Sequence, residues 1–105
     1  MKRNLLLSFL VMVFAVVNVA AQTPMLKHLS TYHSNIFDEG AAEIVVYDAD
    51  NNQLYVTNAD DNSITILDFS DPSNVTKIKD VDCEPYGDGV NSVTYYNGYI
   101  AVACE

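Results

Sequence analysis

The chain has 105 residues, of which 14 are Asp or Glu and 5 are Lys or Arg, so its net charge at neutral pH is −9. A balance this acidic repels phosphate backbones and anionic membrane surfaces, because proteins bind nucleic acid by neutralising phosphates with Lys and Arg. Nucleic-acid binding is therefore excluded, and the length leaves room for one small hydrophobic core.

The N-terminal segment 1–21 has the features of a secretory signal peptide. The basic pair Lys2-Arg3 precedes an apolar run from Leu5 to Val17, which is shorter than the roughly 20 residues that span a bilayer as a helix. The small residues Val19-Ala20-Ala21 then predict cleavage after the last of them. The alternative is an uncleaved N-terminal anchor. Cleavage would leave residues 22–105, without a transmembrane helix, as a secreted, extracellular or cell-envelope chain.

The rest of the chain is predicted to be all-β, because short apolar alternations are separated by turns rich in Asn, Asp, Gly and Pro. No stretch has a helical period long enough to predict an amphipathic helix. The predicted strands, in chain order, are Met25 to Tyr32, Glu43 to Asp48, Gln53 to Asn58, Ser63 to Phe69, Thr76 to Asp82, Ser92 to Tyr96 and Tyr99 to Cys104. Asn97-Gly98, between the last two, is a strong signal for a tight hairpin.

Two of these hairpins resemble each other. The strands Glu43 to Asp48 and Gln53 to Asn58 return as Ser92 to Asn97 and Tyr99 to Cys104, after about 45 to 50 residues, a period typical of a four-stranded β-propeller blade. We therefore expect one complete antiparallel blade over residues 43–82, part of a second blade after it, and further blades downstream. The alternative is a small independent antiparallel sandwich.

Local motifs give no catalytic assignment. The segment Asp48 to Gln53 begins like a calcium loop, but it lacks the glycine at the sixth position and has Ala59 where the closing Glu should be, which predicts an Asx-rich turn. Asn74-Val75-Thr76 is a glycosylation sequon in a predicted loop, and it acts only in a host that glycosylates exported proteins. The sequence contains no nucleophile elbow, zinc-protease helix, phosphate-binding loop or dinucleotide-binding glycine pattern.

Strand direction predicts that most carboxylates gather at one end of the sheets. In alternating strands, the loops before the first strand, after the second and after the fourth lie on the same face. This face would collect Asp38, Glu39, Glu43, Asp60, Asp61, Asp82, Glu84, Asp88 and Glu105. We select Glu43 and Asp88, which lead into the innermost strands of successive blades, as candidate ligands of a divalent cation such as calcium. The alternative is a solvated acidic rim.

The same strand directions bring Cys83, after the fourth strand, towards Cys104, at the end of the last one. Disulfides persist in the compartment that an export signal predicts. The pair is therefore a candidate disulfide, and the alternative is two free, partly buried thiols.

Four motifs, in their order and spacing, resemble the start of the secreted choice-of-anchor I family. They are Phe37-Asp38-Glu39-Gly40-Ala41-Ala42-Glu43-Ile44-Val45, Leu54-Tyr55-Val56-Thr57-Asn58-Ala59, Ile66-Leu67-Asp68-Phe69-Ser70-Asp71-Pro72-Ser73 and Tyr86-Gly87-Asp88-Gly89-Val90-Asn91-Ser92-Val93. The resemblance extends to proteins named after the mesenchyme-specific cell-surface glycoprotein. It implies an extracellular β-propeller, often with a C-terminal sorting or anchoring region, and it implies no reaction.

The resulting expectation is a secreted or cell-surface propeller segment that binds or scaffolds an unknown extracellular ligand or protein without catalysis. The alternative is the N-terminal part of an extracellular propeller hydrolase or phosphoesterase whose catalytic residues lie beyond this chain. Apart from the divalent cation considered above, no cofactor is predicted.

Overall fold

The computed structural model describes residues 24–37 and 40–105. The predicted signal peptide, residues 1–21, lies outside this part of the chain, and so do Asp38 and Glu39.

The described residues form two antiparallel sheets. The first is a four-stranded meander with its strands in sequence order: β1 (Val45–Asp48), β2 (Gln53–Asn58), β3 (Ser63–Asp68) and β4 (Thr76–Asp82). The second is the hairpin of β5 (Val90–Tyr96) and β6 (Tyr99–Cys104), and a single 3₁₀ turn, Glu84–Tyr86, lies between the sheets in the sequence. The predicted all-β class and the antiparallel four-stranded sheet are confirmed, whereas closure into a propeller stays a prediction.

Most strand boundaries agree with the alternation of apolar residues. Strands β2, β4 and β6 have the predicted limits, and β5 begins two residues earlier than predicted, at Val90. Strand β1 begins at Val45 rather than Glu43, although the backbone ladder continues: the Glu43 N–H donates to the Thr57 carbonyl at 3.3 Å. The Ile44 N–H donates to Thr57 Oγ1 at 3.0 Å, so a side chain replaces a regular ladder bond there.

The predicted strand from Met25 to Tyr32 is wrong, because residues 24–37 contain no strand. This N-terminal segment lies against the face of the four-stranded sheet instead of pairing with an edge. Its Ser30 hydroxyl donates to the Pro72 carbonyl at 2.8 Å, and Leu26 is fully exposed. Alternation of apolar residues cannot reveal whether a strand edge is available to complete the hydrogen-bond ladder.

Two turns have the chemistry that their sequences predict. In the Asx-rich turn after β1, Asp48 Oδ1 accepts the backbone N–H groups of Asp50 at 2.9 Å and Asn51 at 3.1 Å. In the β5–β6 hairpin, Asn97 and Gly98 have φ values of 48° and 84°, the left-handed pair that a type I′ turn requires.

The core lies between the two sheets, where β5 packs against β1 and β2. Its buried members are Tyr55, Ile64, Ile66, Cys83, Val90 and Val93. Ile64 is completely buried, and a fully buried side chain of this size contributes about 1.5–3 kcal/mol. The opposite face of β5–β6 is exposed, including Tyr96 and Tyr99.

Candidate functional site

An acidic cleft of about 320 Å³ lies at the end of the four-stranded sheet where β2 turns into β3 and β4 ends. Its walls come from the β2–β3 turn, the end of β4, the 3₁₀ turn and the segment that leads into β5. The lining side chains are Asp60, Asp61, Asn62, Asp82, Glu84 and Asp88. Five of these six are carboxylates and none is basic, so the cleft carries concentrated negative charge.

Asn62 holds together the loops that form the cleft. It has a left-handed φ of 45°, a conformation that Asn tolerates better than most residues. Its carbonyl accepts the Cys83 N–H at 3.0 Å, and its Nδ2 donates to the Gly87 carbonyl at 2.6 Å. Asn62 thereby ties the β2–β3 turn to both sides of the 3₁₀ turn. Its Oδ1 is buried and has no hydrogen-bond partner among the described residues.

Other carboxylates in the cleft hold its loops in shape. Asp82 Oδ1 accepts the Glu84 N–H at 2.9 Å and so fixes the start of the 3₁₀ turn. Asp61 Oδ2 accepts from Asn58 Nδ2 at 3.2 Å, inside the β2–β3 turn. These contacts leave further oxygen lone pairs of both carboxylates for a ligand.

A second, smaller cleft of about 260 Å³ lies beside the acidic cleft. We call it the Glu43 cleft, and it is lined by Glu43, Ala59, Gly89, Val90, Asn91 and Glu105. Its floor is held by backbone bonds, because the Glu105 N–H donates to the Gly89 carbonyl at 2.9 Å and the Asp88 N–H donates to the Glu105 carbonyl at 2.6 Å. Asn91 Nδ2 also donates to Glu105 Oε1.

The structure places the two predicted metal ligands in neighbouring clefts and not in one shared site. Glu43 lines the second cleft and Asp88 lines the acidic cleft, and both residues are exposed. Within residues 24–37 and 40–105, no group of three or more His, Cys, Asp or Glu side chains is arranged to hold a metal ion. Cation binding by Glu43 and Asp88 therefore stays a prediction that rests on charge alone.

The structure also reveals a buried polar network that the sequence patterns did not predict. Asp48 is fully buried, and besides two backbone N–H groups its carboxylate accepts from Asn51 Nδ2 at 2.8 Å and from the Tyr55 hydroxyl at 3.1 Å. Burial by itself raises the pKa of Asp48, but hydrogen bonds from the Asn51 side chain and backbone, together with the nearby Tyr95 and Tyr55 hydroxyls, outweigh it and lower the pKa to about 2. No motif in the sequence signals this network, because Asp48 belongs to an Asx-rich turn, where an Asp is ordinarily exposed.

Tyr95 connects this network to the second sheet. Its hydroxyl donates to Asp50 Oδ2 at 3.0 Å and accepts the Gly98 N–H at 3.1 Å, and its ring stacks on Tyr55 with centroids 6.0 Å apart. Burial, together with the nearby Asp48 and Asp50 carboxylates, raises the pKa of Tyr95 to about 12. We assign the network to packing within and between the sheets, because every donor and acceptor in it belongs to a strand or turn of the two sheets.

A third depression, of about 400 Å³, lies between the N-terminal segment and the four-stranded sheet. Its sheet side is apolar and consists of Leu54, Leu67, Phe69, Pro72 and Val75. Residues 27–32 supply most of the other wall. We assign this groove to imperfect packing of the N-terminal segment on the sheet that it covers.

The two cysteines are free thiols in the same core region. Cys83 is buried within the core cluster, and Cys104 is partly buried and packs against that cluster. Asn74 is exposed in the loop between β3 and β4, so the sequon is accessible, and its glycosylation stays a prediction.

Comparison with known proteins gives one family. The family model described as the choice-of-anchor I domain matches residues 43–105, which is more than half of the chain. No curated protein and no solved structure matches the chain. Among the described residues, no helix is both long enough and apolar enough to cross a membrane.

Proposed function

The chain belongs to the choice-of-anchor I domain family, and from this premise we propose that it acts outside the cytoplasm as a non-enzymatic binding or scaffolding module. The family name indicates a β-rich domain of the cell surface or cell envelope. The proposed ligand surface is the end of the sheets that carries the acidic cleft and the Glu43 cleft.

The observation that carries this proposal is the composition of the acidic cleft. Five carboxylates and one amide line it, without a basic side chain. Of the lysines, Lys77 is engaged by Asp80 at 2.8 Å, and Lys27 lines the N-terminal groove. An uncompensated negative cleft attracts cationic groups and speeds their association, an effect that salt weakens. The preferred partner is therefore a Lys- or Arg-rich segment of an extracellular protein.

The stacking of the sheets supports the proposal that they are propeller blades. Strand β5 repeats β1 and packs against β1 and β2 of the preceding sheet, as the innermost strands of adjacent blades do. In a closed ring, the Glu43 cleft and the segment before β5 would lie near the central channel. Ligands would then approach a single negatively charged opening.

The test uses the full-length protein and a lysine-rich peptide, with a glutamate-rich peptide of the same length as the ligand control. We expect the lysine-rich peptide alone to bind in calorimetry, with an affinity that falls as salt rises. The variant Asp60→Asn/Asp61→Asn/Glu84→Gln should bind several-fold more weakly. Asp71→Asn, in the loop after β3, is the matched control and should bind like the wild type. Equal binding by the triple variant would contradict the proposal.

The rival proposal, the N-terminal part of a propeller phosphoesterase, predicts an activity that a binding module lacks. Full-length protein would hydrolyse aryl phosphate esters or diesters in the presence of Mg²⁺, Mn²⁺ or Ca²⁺ and would stop on chelation. Turnover above the buffer rate that chelation abolishes would favour this rival over a purely binding role.

A further inference from the structure

Cys83 and Cys104 meet where the end of the first sheet touches the end of the second. Cys83 directly follows β4 and is 4% exposed. Cys104 is the last residue of β6 and packs against the core cluster to which Cys83 belongs. The two thiols thus come from different sheets into one apolar environment.

The backbone around both cysteines is held in place. The Cys83 N–H donates to the Asn62 carbonyl at 3.0 Å, and the Cys83 carbonyl accepts the Tyr86 N–H at 2.9 Å. On the other side, Gly87 lies so close to β6 that a Cβ built there would be 2.8 Å from the Cys104 Cβ. Because both segments are already held in place, a bond between the two sulfurs would cost the folded chain little further conformational entropy.

We propose that Cys83 and Cys104 form a disulfide in the exported protein, so that a covalent bond joins the four-stranded sheet to the β5–β6 sheet. This inference rests on the proposed extracellular location, because disulfides persist in oxidising compartments. The bond would act as a staple at the end of the molecule that carries the acidic cleft, since Cys83 adjoins both Asp82 and Glu84 of that cleft.

The oxidant is the disulfide of an oxidoreductase or of a small thiol such as oxidised glutathione. Cys104, the more exposed thiol, loses its proton, attacks one oxidant sulfur and releases the other as a thiol. Cys83 then loses its proton and attacks the Cys104 sulfur, which expels the second oxidant thiol. The two protein thiols are oxidised, and one oxidant disulfide is reduced to two thiols.

The second step should be slow near neutral pH. Burial raises the pKa of the Cys83 thiol, and it still does so once Cys104 is in the mixed disulfide, whereas only the thiolate attacks. The conversion of the mixed disulfide should therefore accelerate as the pH rises towards 9.

The test treats reduced, purified full-length protein with oxidised glutathione, denatures it, and alkylates the remaining thiols. We expect Cys83 and Cys104 to escape alkylation, a cross-linked peptide that contains both residues, and a mass lower by two hydrogens. Oxidised protein should unfold at a temperature roughly 5–10 °C above that of the reduced protein of the same sequence. Cys104→Ser, which cannot form the bond, should retain a titratable Cys83 or stop at its mixed disulfide.

Persistent alkylation of both residues, or products that are only intermolecular, would overturn the proposed staple. Because oxidation is carried out in vitro, this result does not depend on where the protein works. Alkylation of protein taken directly from the cell surface is a separate measurement. Free thiols there, with a disulfide formed in vitro, would overturn the disulfide of the exported protein and leave the geometry of the pair intact.

Discussion

The Tyr95 hydroxyl donates to Asp50 Oδ2 at 3.0 Å, although the two residues belong to different sheets. The same hydroxyl accepts the Gly98 N–H of its own hairpin turn. Tyr95 therefore connects the β5–β6 turn to the turn after β1, and it sets the relative position of the two sheets at the end opposite the acidic cleft.

Replacing Tyr95 by Phe removes both hydrogen bonds and keeps the ring that stacks on Tyr55. We expect the free energy of unfolding to fall by about 0.5–1.5 kcal/mol, because the substitution removes exposed hydrogen bonds that join the two turns. Urea unfolding of full-length protein is the measurement. Tyr96→Phe is the matched control, since Tyr96 is 82% exposed. Equal effects of the two substitutions would contradict a role for the hydroxyl of Tyr95.

Acid should destabilise the fold through Asp48. Its carboxyl has a pKa of about 2 in the folded chain against an ordinary value of 3.8, so the unfolded chain binds a proton first as pH falls. The stabilisation is complete above about pH 4 and is lost as pH falls towards 2. Unfolding followed across this range should show it, and Asp48→Asn should be less stable at pH 7 with a flatter dependence. An unchanged slope in the variant would refute the assignment.

Gly87→Ala should loosen the contact between the sheets. A Cβ at this position would be 2.5 Å from the Glu105 carbonyl oxygen and 2.8 Å from the Cys104 Cβ, so the backbone of β6 would have to move. We expect a loss of about 1–3 kcal/mol in the free energy of unfolding. Gly89→Ala is the control, because nothing lies within 4 Å of its added methyl group. Equal free energies of unfolding for the two variants would contradict this prediction.

Calcium should bind weakly, if Glu43 and Asp88 act as the sequence predicts. The two carboxylates line separate clefts, so we expect a dissociation constant on the order of 1 mM, the range of weak extracellular sites. Calorimetric titration of full-length protein is the measurement, and Glu43→Gln/Asp88→Asn should abolish the heat. Equal binding by this double variant would rule out both residues as ligands.

The exported protein should begin at Gln22. The length of the apolar run and the small residues at 19–21 predict cleavage there. Intact mass and N-terminal peptide mapping of protein from the cell envelope or medium measure the terminus. Recovery of Met1 or of any peptide from residues 2–21 in mature protein would contradict the prediction.

The strands were predictable wherever a strand has a neighbour with which to pair. Gln53–Asn58 and Thr76–Asp82 match their predicted limits because alternation along them coincides with real partners. Met25 to Tyr32 has apolar residues but lies on a sheet face, and sequence alternation carries no information about free edges. The β5–β6 turn was equally predictable, because Asn97 and Gly98 readily adopt the left-handed φ values that this turn requires.

The sequence predicts at which end of the sheets the candidate site lies, but not how its side chains are arranged. Strand direction places the loops of Glu43, Asp60 and Asp88 at the same end, and their side chains line the two clefts found there. Strand direction does not reveal that Asn62 bonds to both sides of the 3₁₀ turn and so holds the acidic cleft in shape. The burial of Asp48 could not be read from alternation either, because an Asp in a turn is ordinarily exposed and its burial depends on Tyr95, far away in the sequence.

The outer edge of the four-stranded sheet has a consequence for how this molecule resists aggregation. Strand β4 carries Lys77, Lys79, Asp80 and Asp82 along an exposed ladder edge, and charges of both signs there discourage a foreign strand from docking. Strand β6, in contrast, contains no charged residue. Pairing with a further strand is therefore discouraged beside β4 and left open beside β6, so the two outer edges differ in how readily they accept new β-structure.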